Sequence, residues 1–425
     1  MEQYLFETKC IQSGYKPENG QPRTLPIYQS TTYKYDSAAE LGKLFDLEAA
    51  GHMYTRISNP TVAAVEDKIA DLEGGVGAML TSSGQAASFM AIFNICCQGQ
   101  NFVSLNNIYG GTINLFSVTL ARMGIEVRYA RDDMSDEEFD ALFDENTRLV
   151  FGETVANPAL TVLDISRYAD LAHKHNVPLI VDNTFTTPFL CRPFEYGADI
   201  VTHSTTKYMD GHANVVGGVI VDSGKFDWAA AGKYPELTEA DESYHGVIYT
   251  EKFGAAAYIT KARVQLMRDF GCTPQPIMSY LLNLGLETLA VRMERHSSNA
   301  LAVAKYLEGH EKVAWVNYPL LESNKYYDLA CKYMPKGAPG VVSFGVKGGR
   351  TAAMELMDNL KLAQIVTHVA DARTCVLHPA STTHRQLTDE QLIAGGIVPE
   401  MVRFSVGIEN VNDIIADLEQ ALAKI

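Results

Sequence analysis

The sequence predicts an α/β protein with a large, mostly parallel sheet domain and a smaller α/β C-terminal domain. Two observations predict it. From residue 76 to 182, short apolar runs alternate with amphipathic stretches, the pattern of a doubly wound sheet. The chain has 425 residues, 47% hydrophobic and 20% charged, enough for two soluble cores. Residues 1–60 read as an arm, 61–260 as the larger domain and 261–425 as the smaller one.

In the arm, TLPIYQSTTYKY alternates but has no strand partner nearby. In HMYTRISNP, extended backbone places Tyr54 and Arg56 on one side, a phenol and a guanidinium suited to a phosphate. Asn59-Pro60 supplies an N-cap and a first-turn proline for a helix that stops at Gly74-Gly75. VGAMLTSSGQAASFMAIFNI reads as strand, turn and helix. Gly84 and Gln85 fall at that helix start, where free N–H groups and the dipole attract anions.

NFVSL, a helix to about residue 122, EVRYA, a helix near 135–144, RLVFGE, a helix at 164–175 and LIVD continue the alternation. NNIYGGT presents Tyr109, able to stack on a flat ring, and GETVANP presents Glu153 and Asn157. NVVGGVIV is another strand. Residues 223–250 are long, polar and aromatic, which predicts an ordered functional loop. LGLETLAVRMERHSSNALAVAKYLEGH reads as one long amphipathic helix. The strands GVVSFGVK, TCVLH and MVRFSVG and the helix VNDIIADLEQALAKI complete the chain.

Net charge is −16, which argues against nucleic acid but leaves small anionic ligands open. No apolar run reaches about 18 residues, so no membrane span is expected. MEQYLFETKC lacks a signal-peptide core, and a cytoplasmic location is the expectation. Seven scattered cysteines without CxxC read as reduced thiols, with Cys96 and Cys97 in an apolar helix. No His/Cys set has metal-ligand spacing, and His173 and His175 read as a solvated helix end.

The chemistry concentrates in VPLIVDNTFTTPF and GADIVTHSTTKY. The first apolar run, Leu179–Val181, ends in Asp182. The second, Asp199–Thr202, leads into His203, Ser204, Thr205, Thr206 and Lys207. Ligands of open α/β sheets sit beyond the carboxyl ends of the strands, so an acid and an amine converge on one crevice. Pyridoxal 5'-phosphate needs that pair: a lysine to hold the aldehyde as a Schiff base, and a carboxylate to keep the pyridine nitrogen protonated. Ser204 and Thr206 add hydroxyls for its phosphate.

YTRxxNPT, SSGxAA, YGGT, ExxxNP, VDNTFxxP, HSxTKYxxGH, HPASTTH and RFSVGIE occur in order along nearly the whole chain. Together they resemble the Cys/Met-metabolism family of pyridoxal-phosphate enzymes, of fold type I (aspartate aminotransferase-like). The resemblance implies that Lys207 is the Schiff-base lysine and proton shuttle. It implies that Asp182 partners the pyridine nitrogen and that Tyr109 stacks on the ring and assists proton transfer. Gly84, Gln85, Ser204 and Thr206 match the phosphate cup, and Asn157 and Thr184 match residues near the ring. Tyr54 and Arg56 match a pair that reaches the neighbouring subunit's phosphate. Arg403 matches the arginine that grips the substrate carboxylate. Family members are usually tetramers built from two dimers, so a homotetramer is expected.

Three features point to the sulfide-using branch, the O-acetylhomoserine sulfhydrylases. The 223–250 insertion, with FDW and SYHG, resembles theirs. Gly111 stands where methionine γ-lyases carry cysteine. Arg373 stands where cystathionine-handling members often carry glutamate, and a cation there should repel the distal ammonium of cystathionine. His368 departs from the Ser or Asn of many relatives, close to the expected carboxylate site. The resemblance thus implies conversion of O-acetyl-L-homoserine and sulfide to L-homocysteine and acetate. The alternatives are a cystathionine γ-synthase, a methionine γ-lyase or a silent pyridoxal-binding scaffold.

Overall fold

The computed structural model describes residues 4–383, 385 and 397–425; the final histidine of HPASTTH, His384, lies outside them. Among the described residues, twelve strands form two sheets. The first contains β1 (Gly77–Thr81), β2 (Asn101–Leu105), β3 (Glu126–Ala130), β4 (Thr147–Glu153), β5 (Leu179–Asp182), β6 (Ile200–His203) and β7 (Gly218–Asp222). Its order is β1-β7-β6-β5-β4-β2-β3. Pairing from β3 across to β6 is parallel, and β7 runs against both neighbours. A mostly parallel sheet is therefore what the chain builds.

Alternate residues of these strands serve opposite faces. Leu179, Val181, Val201 and Val221 join one core with the Pro60–Glu73 and Ile165–Lys174 helices. Ile180, Ile200 and Ile220 join the other with the Gly84–Phe93 helix. Burial on both faces explains why the strands read as continuous apolar runs. The Pro60–Glu73 helix has its expected caps: the Asn59 side chain accepts from Thr61 N–H, and Gly74 ends it at φ 82°.

The second sheet contains β8 (Val313–Asn317), β9 (Val341–Val346), β10 (Gln364–Ile365), β11 (Cys375–Leu377) and β12 (Met401–Ser405), in the order β10-β11-β12-β9-β8. Strands β8 and β10 escaped sequence reading. β10 has two exposed residues and no hydrophobic alternation to betray it.

Four expectations need correction. The long helix is two, Pro276–Glu287 and Leu289–Glu308, separated at Thr288 with φ −106° and ψ 8°. The Arg292 guanidinium donates to the Gly285 carbonyl at 2.6 Å, and Gly285 lies against the Asp210 backbone with no room for a Cβ. Apolar periodicity carries no sign of that tertiary contact. The 223–250 segment is ordered but contributes no cavity residue; it forms short helices whose Trp228, Tyr234 and Tyr249 are buried against the sheet. Cys96 and Cys97 follow the helix end at Phe93, and Cys97 is exposed. His173 and His175 are not simply solvated: they bond Asp199 at 2.8 Å and Asp140 at 2.7 Å.

Candidate active site

The carboxyl ends of β4, β5 and β6 open into a cavity of about 410 Å³, roofed by the 367–369 loop and β12. Asp182 ends β5, and four residues beyond the end of β6 stands Lys207. Both line this one cavity, as do Gly84, Gln85, Tyr109, Asn157, Thr184, Ser204, Thr206, His368 and Arg403. Eleven residues chosen from sequence are thus brought together.

Local structure explains the placement. Ser83 caps the Gly84–Phe93 helix by accepting from Ala86 N–H, leaving Gly84 and Gln85 in the first turn facing the cavity. Gly84 cannot carry a side chain here: a Cβ would stand 2.6 Å from the Ser204 Cβ. Thr184 Oγ1 accepts the Ser204 N–H at 2.8 Å, tying the loop after β5 to the loop after β6. The Thr206 hydroxyl donates to the Gly217 carbonyl at 3.2 Å.

The electrostatics suit an amine that must act as a base. Burial, then the Arg403 guanidinium, pull the Lys207 amine down to about 8. Its Nζ lies 3.5 Å from His368 Nδ1. Burial and Lys207 lower the imidazole in turn, so His368 is neutral near pH 7. Burial raises the Asp182 carboxyl, while Thr184 and the neighbouring His203 oppose the rise. Thr184 N–H donates to Asp182 Oδ1 at 3.0 Å.

Arg403 is buried on β12, with Nη2 3.1 Å from the His368 carbonyl and Nη1 3.4 Å from Asn157 Oδ1. Among the described residues its Nε has no hydrogen-bond partner, and neither do Gln85 Oε1 and His368 Nε2. Buried polar groups are normally satisfied, so these atoms mark unfilled bonding capacity for a polar guest.

Tyr54 and Arg56 are not in this cavity. Their side chains stack on one another at 5.2 Å, and the Arg56 guanidinium donates to the Arg268 carbonyl. Arg373 is also elsewhere. Asp371 Oδ1 accepts its N–H at 2.6 Å, turning the chain outward. The exposed guanidinium donates to the His212 carbonyl at 2.9 Å and lies 3.6 Å from Asp371. The like-charge argument against cystathionine therefore falls. Gly111 keeps its weight, because a Cβ there would stand 2.5 Å from the Tyr109 ring and 2.7 Å from Gln85. Glu153 was noticed in sequence but given no role. It lines the cavity, and its Oε1 accepts the Tyr109 N–H at 2.7 Å. Its position at a strand end beside an Asn-Pro turn was the available signal.

The residues fit pyridoxal phosphate. A helix start with its free N–H groups and two hydroxyls offer a cup of donors for a phosphate, and an acid and an amine share the same space. Lys207 would hold the aldehyde, Asp182 the ring nitrogen and Gly84, Gln85, Ser204 and Thr206 the phosphate.

The model of the Cys/Met metabolism PLP-dependent enzyme family matches residues 7–423. The homocysteine synthase of Schizosaccharomyces pombe is 47% identical, over 99% of this chain and 99% of its own. O-acetyl-L-homoserine sulfhydrylase 1 of Thermus thermophilus is 47% identical, over 98% and 100%. A crystal structure of a putative O-acetylhomoserine (thiol)-lyase from Campylobacter jejuni carries N'-pyridoxyl-lysine-5'-monophosphate. It superimposes with a TM-score of 0.95 at 36% identity, covering 99% of this chain and 100% of that one.

Proposed function

This chain belongs to the Cys/Met metabolism family of pyridoxal-phosphate-dependent enzymes, and from that premise we infer that it is an O-acetylhomoserine sulfhydrylase. The reaction is a γ-replacement: O-acetyl-L-homoserine and sulfide give L-homocysteine and acetate. Homocysteine synthase and sulfhydrylase relatives at 47% identity over the full length support the choice of substrate.

One observation carries the mechanism: Lys207, Asp182 and Arg403 face a single cavity. Bound pyridoxal phosphate supplies an electron sink for negative charge developing on the substrate. Arg403 holds the substrate carboxylate by a charge-assisted pair of hydrogen bonds, which aims the Cα–H bond at Lys207. Lys207 Nζ moves the two protons one at a time: it takes the Cα proton, delivers it onward and, as a free amine again, takes a Cβ proton, allowing acetate to leave from Cγ. Sulfide adds at Cγ, and Nζ returns the protons. An amine near 8 is matched to this exchange at neutral pH. Tyr109 covers the ring and assists. Asn157 and Thr184 orient the ring, and His368 hydrogen-bonds the amine.

The exposed Tyr54–Arg56 pair, outside its own cavity, supports an arm that completes a neighbour's phosphate cup in a homotetramer. Mixing Lys207→Ala with Arg56→Ala subunits tests this: exchange should restore activity that neither variant has alone. The free thiols and the biosynthetic reaction support a cytoplasmic enzyme; among the described residues no helix is long and apolar enough to cross a membrane.

The decisive assay offers acetyl-, succinyl- and phosphohomoserine, each with sulfide and with cysteine. Homocysteine from the acetyl ester is expected. Cystathionine as the dominant product overturns the assignment.

A further inference from the structure

We propose that Glu153 is a positioning residue that works as an uncharged acid: it pins Tyr109 and Asn157 and leaves Asp182 as the single carboxylate charge facing the pyridine ring. The inference rests on the cofactor assignment above.

Strands β4 and β5 end in register, so Glu153 lies beside Asp182 on the neighbouring strand. Parallel neighbours are about 4.8 Å apart. Two buried carboxylates at that spacing resist being charged together, and one keeps its proton. They titrate as a pair.

The surroundings decide which one. Asp182 accepts the Thr184 N–H and sits near His203, whose Nε2 is 2.6 Å from buried Glu73. That side offers Asp182 a backbone donor and a neighbouring imidazole, both of which favour its charged form. Glu153 is 8% exposed, and its bonds come from the Tyr109 and Asn157 backbone N–H groups, which are neutral donors. Burial first, and Asp182 second, raise its carboxyl well above the ordinary range.

A second cavity supplies the remaining observation. It has a volume of about 310 Å³, and Glu153 lines it as well as the first. Asp132 and Asp133 line it from the loop after β3, Asp164 and Arg167 from the start of the Ile165–Lys174 helix, and Lys325 from the loop after β8. This second space lets the Glu153 carboxyl exchange a proton without crossing the cofactor cavity.

The role differs from that of a catalytic residue. Glu153 acts through the tyrosine that covers the ring, the asparagine beside it and the acid beneath it. A neutral side chain of the same shape should therefore replace it.

The test compares Glu153→Gln with Glu153→Ala, reading cofactor affinity and the pH midpoint of the bound cofactor's visible band. The Gln variant should bind within about twofold of wild type and titrate at the same pH. The Ala variant should bind about tenfold more weakly, since two backbone donors lose their acceptor. Infrared difference spectra at pH 7 should show a protonated-carboxyl C=O stretch in wild type that is missing from the Gln variant, whether or not the Ala variant folds. A Gln variant whose midpoint moves by about one unit or more, or a missing infrared band, overturns the proposal. Normal affinity in the Ala variant also overturns it. Failure of wild type to bind pyridoxal phosphate would instead sink the cofactor reading.

Discussion

The crevice beyond β4–β6 and the 223–250 segment carry similar side chains and use them in opposite ways. In the segment the large aromatic groups have their partners. The Tyr234 hydroxyl donates to the Arg148 carbonyl at 2.7 Å, and the Tyr249 hydroxyl to Asp241 Oδ2 at 2.7 Å. Trp228 lies parallel to Tyr258, ring centroids 5.3 Å apart. In the crevice, Gln85 Oε1, His368 Nε2 and Arg403 Nε are buried without partners among the described residues. Aromatic and polar content alone marks both regions as functional. What distinguishes the crevice is that its unpartnered atoms line one open cavity, whereas the aromatics of the segment are packed against the sheet.

Substitutions can break or sharpen that contrast. The largest effect is expected at Lys207. Lys207→Ala should lower turnover by about 10⁴-fold or more, measured by homocysteine formation. The same amine gives a pH signature. Below its value of about 8 it is an ammonium and cannot attack an aldehyde; above it the neutral form dominates. Capture of added pyridoxal phosphate by cofactor-free protein should therefore rise from pH 7 to 9 and then level. A midpoint near the ordinary lysine value of about 10.4 would show that the cavity does not desolvate the amine.

Next comes Trp228→Ala in the segment, which should cost about 3–5 kcal/mol of stability by denaturant titration. The KM for O-acetylhomoserine should stay unchanged. A raised KM with intact stability would mean that the segment reaches the substrate.

Arg403→Lys should have a smaller effect than either, though a real one, because a point charge cannot reproduce a bidentate fork. A loss of about 1.5–3 kcal/mol in substrate binding is expected, read as a higher KM with normal cofactor absorption. The smallest effect is expected at Arg373. Its guanidinium is exposed and pairs with Asp371 outside the cavity, so Arg373→Ala should cost at most about 1 kcal/mol and leave the product ratio unchanged.

Much of this was legible in the residue order. Asp182 and Lys207 each follow a short apolar run, and a parallel sheet delivers such positions to one edge. Gly84 and Gln85 follow from a serine cap and an apolar helix. Glu153 was visible but mute, because its meaning depends on the strand that pairs with its own. Arg373 misled for the converse reason: distance along the chain from His378-Pro379 does not say which way the side chain turns, and Asp371 turns it away.

Sequence by itself determined the alternation of strands and helices, the capped helix start and the residues able to handle pyridoxal phosphate. Those are local properties, set by side-chain period, backbone preference and chemical type. Tertiary structure alone decided that β4 and β5 end side by side, that Arg403 on the second sheet roofs the same cavity, and that the 223–250 aromatics are core. These depend on contacts between residues far apart in the chain, where direction and burial, rather than composition, set the free energy.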